Sequence, residues 1–430
     1  MLDRQVAPPV QPLASVTLPA ADVFSLPNGA RLHVLHNDAQ PIIRLEIAFR
    51  AGKWYDPAPG VSLLTARMLL EGTRTRTARQ IADEVAFYGA SLECEQGFDR
   101  ATLTLYCLSR HLEKLLPLVA EVIIAPTFPA VELELLKTRT IQNVRVERQK
   151  TSYLASERFA QNLYGPEHPY GIAFNESSFR QTTREAIAAF HESHYQLATS
   201  EVFLCGNVSS SHQNLIQEVL GSINSEPSAE TTPALLFPQS APPAHVNVPD
   251  SSQSSLRIGR VWPSLHHPDT HHLQVLIKVL GGYFGSRLMK NIREDKGFTY
   301  GIYASISPRE NASHLVIGTD VNAISTEAAI AEIKRELVRL QEEIIPAEEL
   351  QTVKNYMAGK FANELGTVFE QCDKYKNLIF LKLPHTYYTD FLAQISKVDS
   401  STLLHLAQQY LLPEKMIEVA AGPTAMLQLK

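Results

Sequence analysis

The feature that most restricts the fold of this chain is an internal repeat whose period is about half the chain length. Residues 129–137 match residues 346–354 at five of nine positions, with an offset of 217. Tyr195 and Tyr410, each followed by a strand-like segment that ends in glycine, are offset by 215. A nearly constant offset between distant segments indicates that one structural unit occurs twice, so the two halves are predicted to share one fold.

The segment between the two copies has the composition of a linker. Residues 225–245 contain five prolines with several Ser, Thr and Ala residues, and they show little hydrophobic periodicity. We therefore predict a first half over residues 23–224 and a second half over residues 246–430, joined by this linker. Residues 1–22 are predicted to form an N-terminal extension.

Each half mixes two hydrophobic patterns. Residues 101–106 alternate with period two, which is typical of a strand, whereas residues 111–124 and 325–343 carry apolar positions at helical spacing. The predicted class is therefore α+β.

Composition and charge exclude some classes of function. The 430 residues are 44% hydrophobic, enough for a large core, and the net charge of -6 argues against a nucleic-acid partner. No apolar stretch is long enough to span a bilayer, so a membrane partner is not expected either. Widely spaced cysteines without a C-x-x-C pair argue against a disulfide framework and favour a reducing, cytoplasmic location. The four cysteines are Cys94, Cys107, Cys205 and Cys372.

Residues 60–73 resemble the zinc-binding helix of the pitrilysin/insulinase-type peptidases, which include the mitochondrial processing peptidases. Peptide-cutting members carry H-x-x-E-H in this helix, and the three places hold Leu63, Ala66 and Arg67 in this chain. The third ligand of the family, a glutamate on a later helix, falls near Val144. The resemblance therefore implies a degenerate metal site and no zinc in this chain.

The chemistry of the motif explains why the replacements matter. Two histidines four residues apart ligate zinc, and the glutamate between them acts as a base toward the metal-bound water. Nearby Glu147 is interpreted as a solvated helix carboxylate. A second candidate lies in residues 266–272, where His267 and His271 are four apart; we favour a solvated, histidine-rich turn but leave metal binding there open.

Residues 281–300 give the most specific match. The family shows small glycines, Ser-Arg-Leu and then R-E-x-x-G-x-x-Y, in which the arginine and the tyrosine reach the zinc centre. The resemblance assigns these roles to Arg293 and Tyr300.

The residues alone support a related picture. Gly297 can end a helix in the left-handed conformation, which would place Arg293 in the last helical turn and Tyr300 on the following strand. Both side chains are suitable hydrogen-bond donors to a peptide carbonyl or an oxyanion. The alternative is structural: Arg293 would pair with a neighbouring carboxylate, and Tyr300 would pack in the sheet.

The resemblance implies two homologous α/β-roll halves, each a mostly antiparallel sheet flanked by helices, that form a clamshell with a second chain. The chain would be a substrate-binding subunit, inactive alone, that supplies Arg293 and Tyr300 to a zinc-bearing homologous partner and binds an unfolded or extended peptide. Without that partner it could form a homodimer. The alternatives are a scaffold with no role in proteolysis and, least favoured, a hydrolase that uses residues 266–272.

Overall fold

The computed structural model describes residues 18–226 and 241–424 of the chain. The first half contains strands β1 to β6 and helices α1 to α8. Its strands are β1 Asp22–Ser25, β2 Arg31–His36, β3 Ile42–Phe49, β4 Ser91–Gln96, β5 Ala101–Leu108 and β6 Glu201–Gly206. Its helices are α1 Val61–Met68, α2 Ala78–Phe87, α3 Leu112–Ile124, α4 Ala130–Glu147, α5 Thr151–Tyr164, α6 Glu176–Gln181, α7 Arg184–His194 and α8 Ser210–Val219.

The second half contains strands β7 to β11 and helices α9 to α14. Its strands are β7 Ala244–Asn247, β8 Gln253–Trp262, β9 Thr299–Pro308, β10 Ser313–Asn322 and β11 Ile417–Gly422. Its helices are α9 Thr270–Gly281, α10 Thr326–Glu342, α11 Ala347–Asn363, α12 Val368–Phe380, α13 Tyr387–Lys397 and α14 Ser400–Tyr410.

The two sheets have the same topology. The first sheet has the order β1-β2-β6-β3-β5-β4 and the second has the order β7-β11-β8-β10-β9. Apart from β1, corresponding strands occupy corresponding positions in the two orders. Each sheet contains one parallel pair, β2 with β6 in the first and β7 with β11 in the second, and its remaining pairs are antiparallel. The predicted α+β class with two duplicated, mostly antiparallel halves is therefore confirmed.

Alternation along β3 shows how the first sheet is covered on both faces. Ile43, Leu45 and Ile47 point into the main core of the first half, together with residues of α1, α3, α4 and α7. The intervening residues Arg44 and Ala48 face the opposite way. Because successive side chains of a strand point to opposite faces, the second face needs its own cover.

That cover comes from the other half. Helix α12 of the second half packs on β2 and β6, where Tyr375 and Leu378 join Leu35 and Phe203 in one buried cluster. Reciprocally, α5 of the first half packs on β8 and β11 of the second sheet. The two halves have therefore exchanged equivalent helices.

Polar contacts reinforce the packing of α12 on the first sheet. Glu46 of β3 lies 3.0 Å from Nε of Arg44 and 2.7 Å from Nζ of Lys376 on α12. Arg44 also bonds Asp373 of α12 at 2.8 Å. Both β3 side chains are buried, so these charges neutralise one another inside the interface.

A disulfide joins the halves at the same interface, between Cys205 of β6 and Cys372 of α12. The cysteine spacing argued against a disulfide framework, and it gave no indication of this single bridge; Cys94 and Cys107 are free and buried. The reason is that a sequence separation of 167 carries no sign of the helix exchange that brings the two thiols together.

Parts of the predicted domain plan lie outside the described residues. These include residues 1–17 of the predicted extension and residues 227–240 of the predicted linker, and β7 begins at Ala244. No helix within the described residues is long and apolar enough to cross a membrane.

Candidate functional site

Helix α1 begins at a well-defined turn after β3. The carboxylate of Asp56 accepts hydrogen bonds from the backbone N–H groups of Gly60 and Ser62, at 2.8 and 2.9 Å. These bonds satisfy donors that a helix N-terminus leaves without intrahelical partners. Gly60 has φ +101°, and a Cβ there would lie 2.8 Å from the ring of Phe179, so the position requires glycine.

The side chains at the place of the zinc site do not fit a metal ion. Leu63 packs against the first core, and Ala66 is fully buried. Arg67 is exposed and donates from Nη1 to Oγ1 of Thr140 on α4, at 3.3 Å. Val144, one turn further along α4, is partly buried against the core. Two aliphatic chains, a methyl group and a cation supply no lone pair for zinc.

Glu147 does not replace the lost glutamate ligand. Its carboxylate accepts from Nζ of Lys150 at 2.6 Å, and both side chains are exposed. This is a surface ion pair at the end of α4, as interpreted from the sequence.

The histidines of residues 266–272 do not converge on one metal-binding site. The ring of His267 accepts from the N–H of Asp269 at 3.2 Å and lies 3.2 Å from the hydroxyl of Tyr410. His271 is instead buried on α9 with its ring 4.7 Å from that of Tyr387. Among the described residues, no three His, Cys, Asp or Glu side chains are placed to hold one metal ion.

We expect the purified, chelator-free chain to hold no stoichiometric zinc at the Leu63, Ala66 and Arg67 helix, because no group there donates a lone pair. Elemental analysis measures this directly. One tightly bound zinc per chain that is lost on mutation around position 63 would contradict the expectation. Zinc lost on replacing His267 or His271 would instead identify the second site.

Arg293 and Tyr300 lie on either side of a sharp turn. A short helix with π-type hydrogen bonding, Met289–Asp295, carries Arg293 in its last turn. Gly297 has φ +65°, and β9 then begins at Thr299 with Tyr300 as its second residue. The predicted arrangement of helix, left-handed glycine and strand is therefore confirmed.

The surroundings of the two side chains differ. The guanidinium of Arg293 lies 4.6 Å from the ring centre of Phe284, a cation–π contact. Tyr300 is 94% exposed, and none of the described residues forms a hydrogen bond with its hydroxyl. The alternative that Tyr300 packs in the sheet is therefore wrong. The structure places both side chains beside the start of β9 and shows no direct bond between them.

A cavity of about 770 Å³ lies between the halves. Ala304 and Ile306 of β9 line it, as do Glu95 and Gln96 at the end of β4. β9 is the outermost strand of its sheet, whereas the first half contributes one face of its sheet, through Glu46, Thr104 and Glu95. Tyr300 lies outside it, roughly 13 Å before Ala304 along the strand.

Sequence reasoning missed two features of this region. Phe284, which contacts Arg293, lies inside the matched segment, but it precedes the short helix of Arg293, so no helical or strand periodicity indicated the contact. The cavity had no signal, because its walls come from both halves.

These features define a class: a duplicated, peptidase-type α+β chain whose metal-site helix holds no metal ligands. Residues 32–168 match the family described as insulinase (peptidase family M16), and residues 181–357 match the family described as peptidase M16 inactive domain. The chain therefore belongs to the insulinase, or M16, peptidase family.

Similar proteins agree with this assignment. A relative from Bacillus subtilis, described as the uncharacterized zinc protease YmxG, is 21% identical and aligns over 90% of this chain and 94% of its own length. A relative from Helicobacter pylori, described as the non-peptidase homolog YmxG, is 23% identical and aligns over 86% of this chain and 87% of its own length. A crystal structure of a peptidase M16 inactive domain from Pseudomonas fluorescens has a TM-score of 0.86 and 28% identity, covering 94% of this chain and 98% of that one.

Proposed function

We propose that this chain is the non-catalytic, substrate-binding subunit of a two-chain zinc peptidase acting on peptides. In this proposal a homologous partner carries the zinc, and this chain supplies Arg293 and Tyr300. The observation that carries the proposal is the exposure of Tyr300: a phenol that is 94% exposed and bonds no described residue is available to a group outside its own chain.

The chemistry of the pair fits that role. A guanidinium and a phenol can donate hydrogen bonds to a scissile carbonyl and to the oxyanion that develops from it. Neither group activates water, so the nucleophile must come from the zinc-bearing partner. The Arg293 guanidinium packs on the exposed ring of Phe284, a cation–π contact that leaves the N–H groups of the guanidinium as possible donors.

Strand addition is the proposed mode of peptide binding. β9 pairs with β10 on one side, and no strand in the described part of the chain pairs with its other edge. Free N–H and C=O groups of an edge strand can bind an extended peptide. Since Ala304 and Ile306 line the cavity, a peptide paired with β9 would lie in the cleft between the halves.

A scaffold function is the second candidate. The name of the Helicobacter pylori relative, a non-peptidase homolog, favours it, because that protein aligns with most of this chain. The two candidates differ in whether Arg293 and Tyr300 contribute to turnover.

We expect the chain to form a complex with a zinc-bearing homologue of similar length, and to form a homodimer when that partner is absent, since two-fold pairs are the commonest oligomers. Size-exclusion chromatography with light scattering measures both. The subunit proposal would be excluded if the chain stays monomeric at every concentration and also does not bind the zinc-bearing homologue.

A further inference from the structure

The second-half wall of the cavity carries a group of lysines, here called the lysine wall: Lys278 of α9, Lys360 of α11 and Lys374 of α12. Helix α9 and the two consecutive helices α11 and α12 bring these ammonium groups to one surface of the cleft. The free edge of β9 lines the same cavity, through Ala304 and Ile306. A peptide paired with that edge would therefore pass beside the lysine wall.

The lysine wall is not neutralised by its own chain. Glu364 lies 2.5 Å from Lys374 and 3.7 Å from Lys360, so it serves two ammonium groups at once. Lys278 donates to the carbonyl of Gly282 at 3.2 Å, and no described carboxylate lies within ion-pair distance of it. Three positive charges against one negative charge leave a local excess of positive charge.

A further cation lines the opposite side of the cavity. The guanidinium of Arg309 lies 3.5 Å from the ring centre of Phe98 and 4.5 Å from that of Tyr170, with no described carboxylate within ion-pair distance. Burial and the charge of Lys360 lower the pKa of Lys278, while the charge of Glu364 raises it. A bound anion would neutralise the positive charge that Glu364 leaves on the lysine wall.

The opposite wall has mixed charges. The first half contributes Glu95, which is exposed, and Asp99, which accepts from Asn311 at 3.4 Å. Arg100 of the same half pairs with Glu310 at 2.5 Å. The local excess of positive charge therefore lies toward α9 and α11. Since side chains of an extended peptide alternate in direction, one set would face the lysine wall.

Apolar surface on the same wall suits an extended peptide. Phe361 of α11 and Tyr388 of α13 stack with their ring centres 5.6 Å apart, and both line the cavity. Aromatic faces beside cationic groups bind the apolar part of a peptide while the charged groups select its carboxylates.

We propose that the cleft selects extended peptides with acidic side chains, whose carboxylates bind at Lys278, Lys360 and Lys374 while the backbone pairs with β9. This inference rests on the proposed peptide-binding function and adds the class of substrate. The selectivity comes from charge, so it weakens with added salt.

The test uses fluorescein-labelled peptides of equal length that differ at alternate positions, which are Glu, Gln or Lys. Anisotropy titrations with the full chain at low salt should give the Glu peptide an affinity about 10-fold higher than the Gln peptide, and the difference should shrink as salt is added. Lys278→Met should reduce the low-salt difference in affinity between the Glu and Gln peptides to about 2-fold. Lys114→Met, at an exposed position on α3 outside the cavity, is the matched control and should leave it unchanged.

The possible outcomes separate the two claims. Unchanged affinity of the Lys278→Met variant for the Gln peptide shows that its cleft is intact. Equal binding of all three peptides, or tightest binding of the Lys peptide, overturns the acidic selectivity and leaves peptide binding standing. Binding of none of them overturns both.

Discussion

Replacing Tyr300 by Phe should lower kcat of the reconstituted two-chain peptidase by about 10²-fold or more, with little change in KM. The substitution keeps the ring and removes the hydroxyl that is proposed to donate to the developing oxyanion. Losing one such donor typically costs about 10² to 10³ in kcat, because the bond is stronger in the transition state than in the ground state. Steady-state cleavage of a fluorogenic peptide measures both constants.

Tyr303→Phe is the matched control for this experiment. Tyr303 lies on the same strand and is also exposed, but its ring lies over Gly318 of β10 and has no proposed role in the reaction. Arg293→Lys should also reduce kcat, since lysine keeps the charge and loses the planar fork. If Tyr300→Phe and Arg293→Lys both leave kcat intact in an assembled complex, the chain is a scaffold.

Replacing Glu46 by Ala should reduce the free energy of unfolding by about 3 kcal/mol. Glu46 is the buried carboxylate between Arg44 and Lys376, and removing it leaves these two cations with the half-exposed carboxylate of Asp373 as their remaining counter-charge. Removing one partner of a buried ion pair costs about 3 to 5 kcal/mol, and the remaining Asp373 places the expected loss at the lower end. Urea-induced unfolding followed by circular dichroism gives the value.

Asp83→Ala provides the comparison. It breaks the pair between Arg79 and Asp83 on α2, where both side chains are mostly exposed and 3.5 Å apart. Exposed pairs contribute about 0 to 1 kcal/mol. A Glu46→Ala loss as small as that of Asp83→Ala would show that the interface between α12 and β3 is hydrated or loosely packed.

Much of the fold follows from local sequence pattern. The repeat predicted two equivalent sheets, and the alternation in residues 101–106 predicted a strand that the structure has as β5. Gly297 predicted the end of a helix before Tyr300. These features depend on neighbouring residues, so their signals are contained in short segments.

The features that could not be predicted from the sequence arise where the two halves pack against each other. α5 and α12 are equivalent in the repeat, and an amphipathic pattern shows that a helix buries one face without showing which sheet receives it. Pairing of Cys205 with Cys372 follows from that choice. So do the lysine wall and the buried position of Glu46, whose environments are made by residues far away in sequence.

The helix exchange also sets a constraint on synthesis at the ribosome. The first sheet is complete once β6 has been translated, yet the apolar side chains of Leu35 and Phe203 on its second face await α12, Val368–Phe380. The nascent chain must therefore carry an uncovered sheet face through most of the translation of its second half. Native packing of the half that is made first is therefore completed near the end of synthesis.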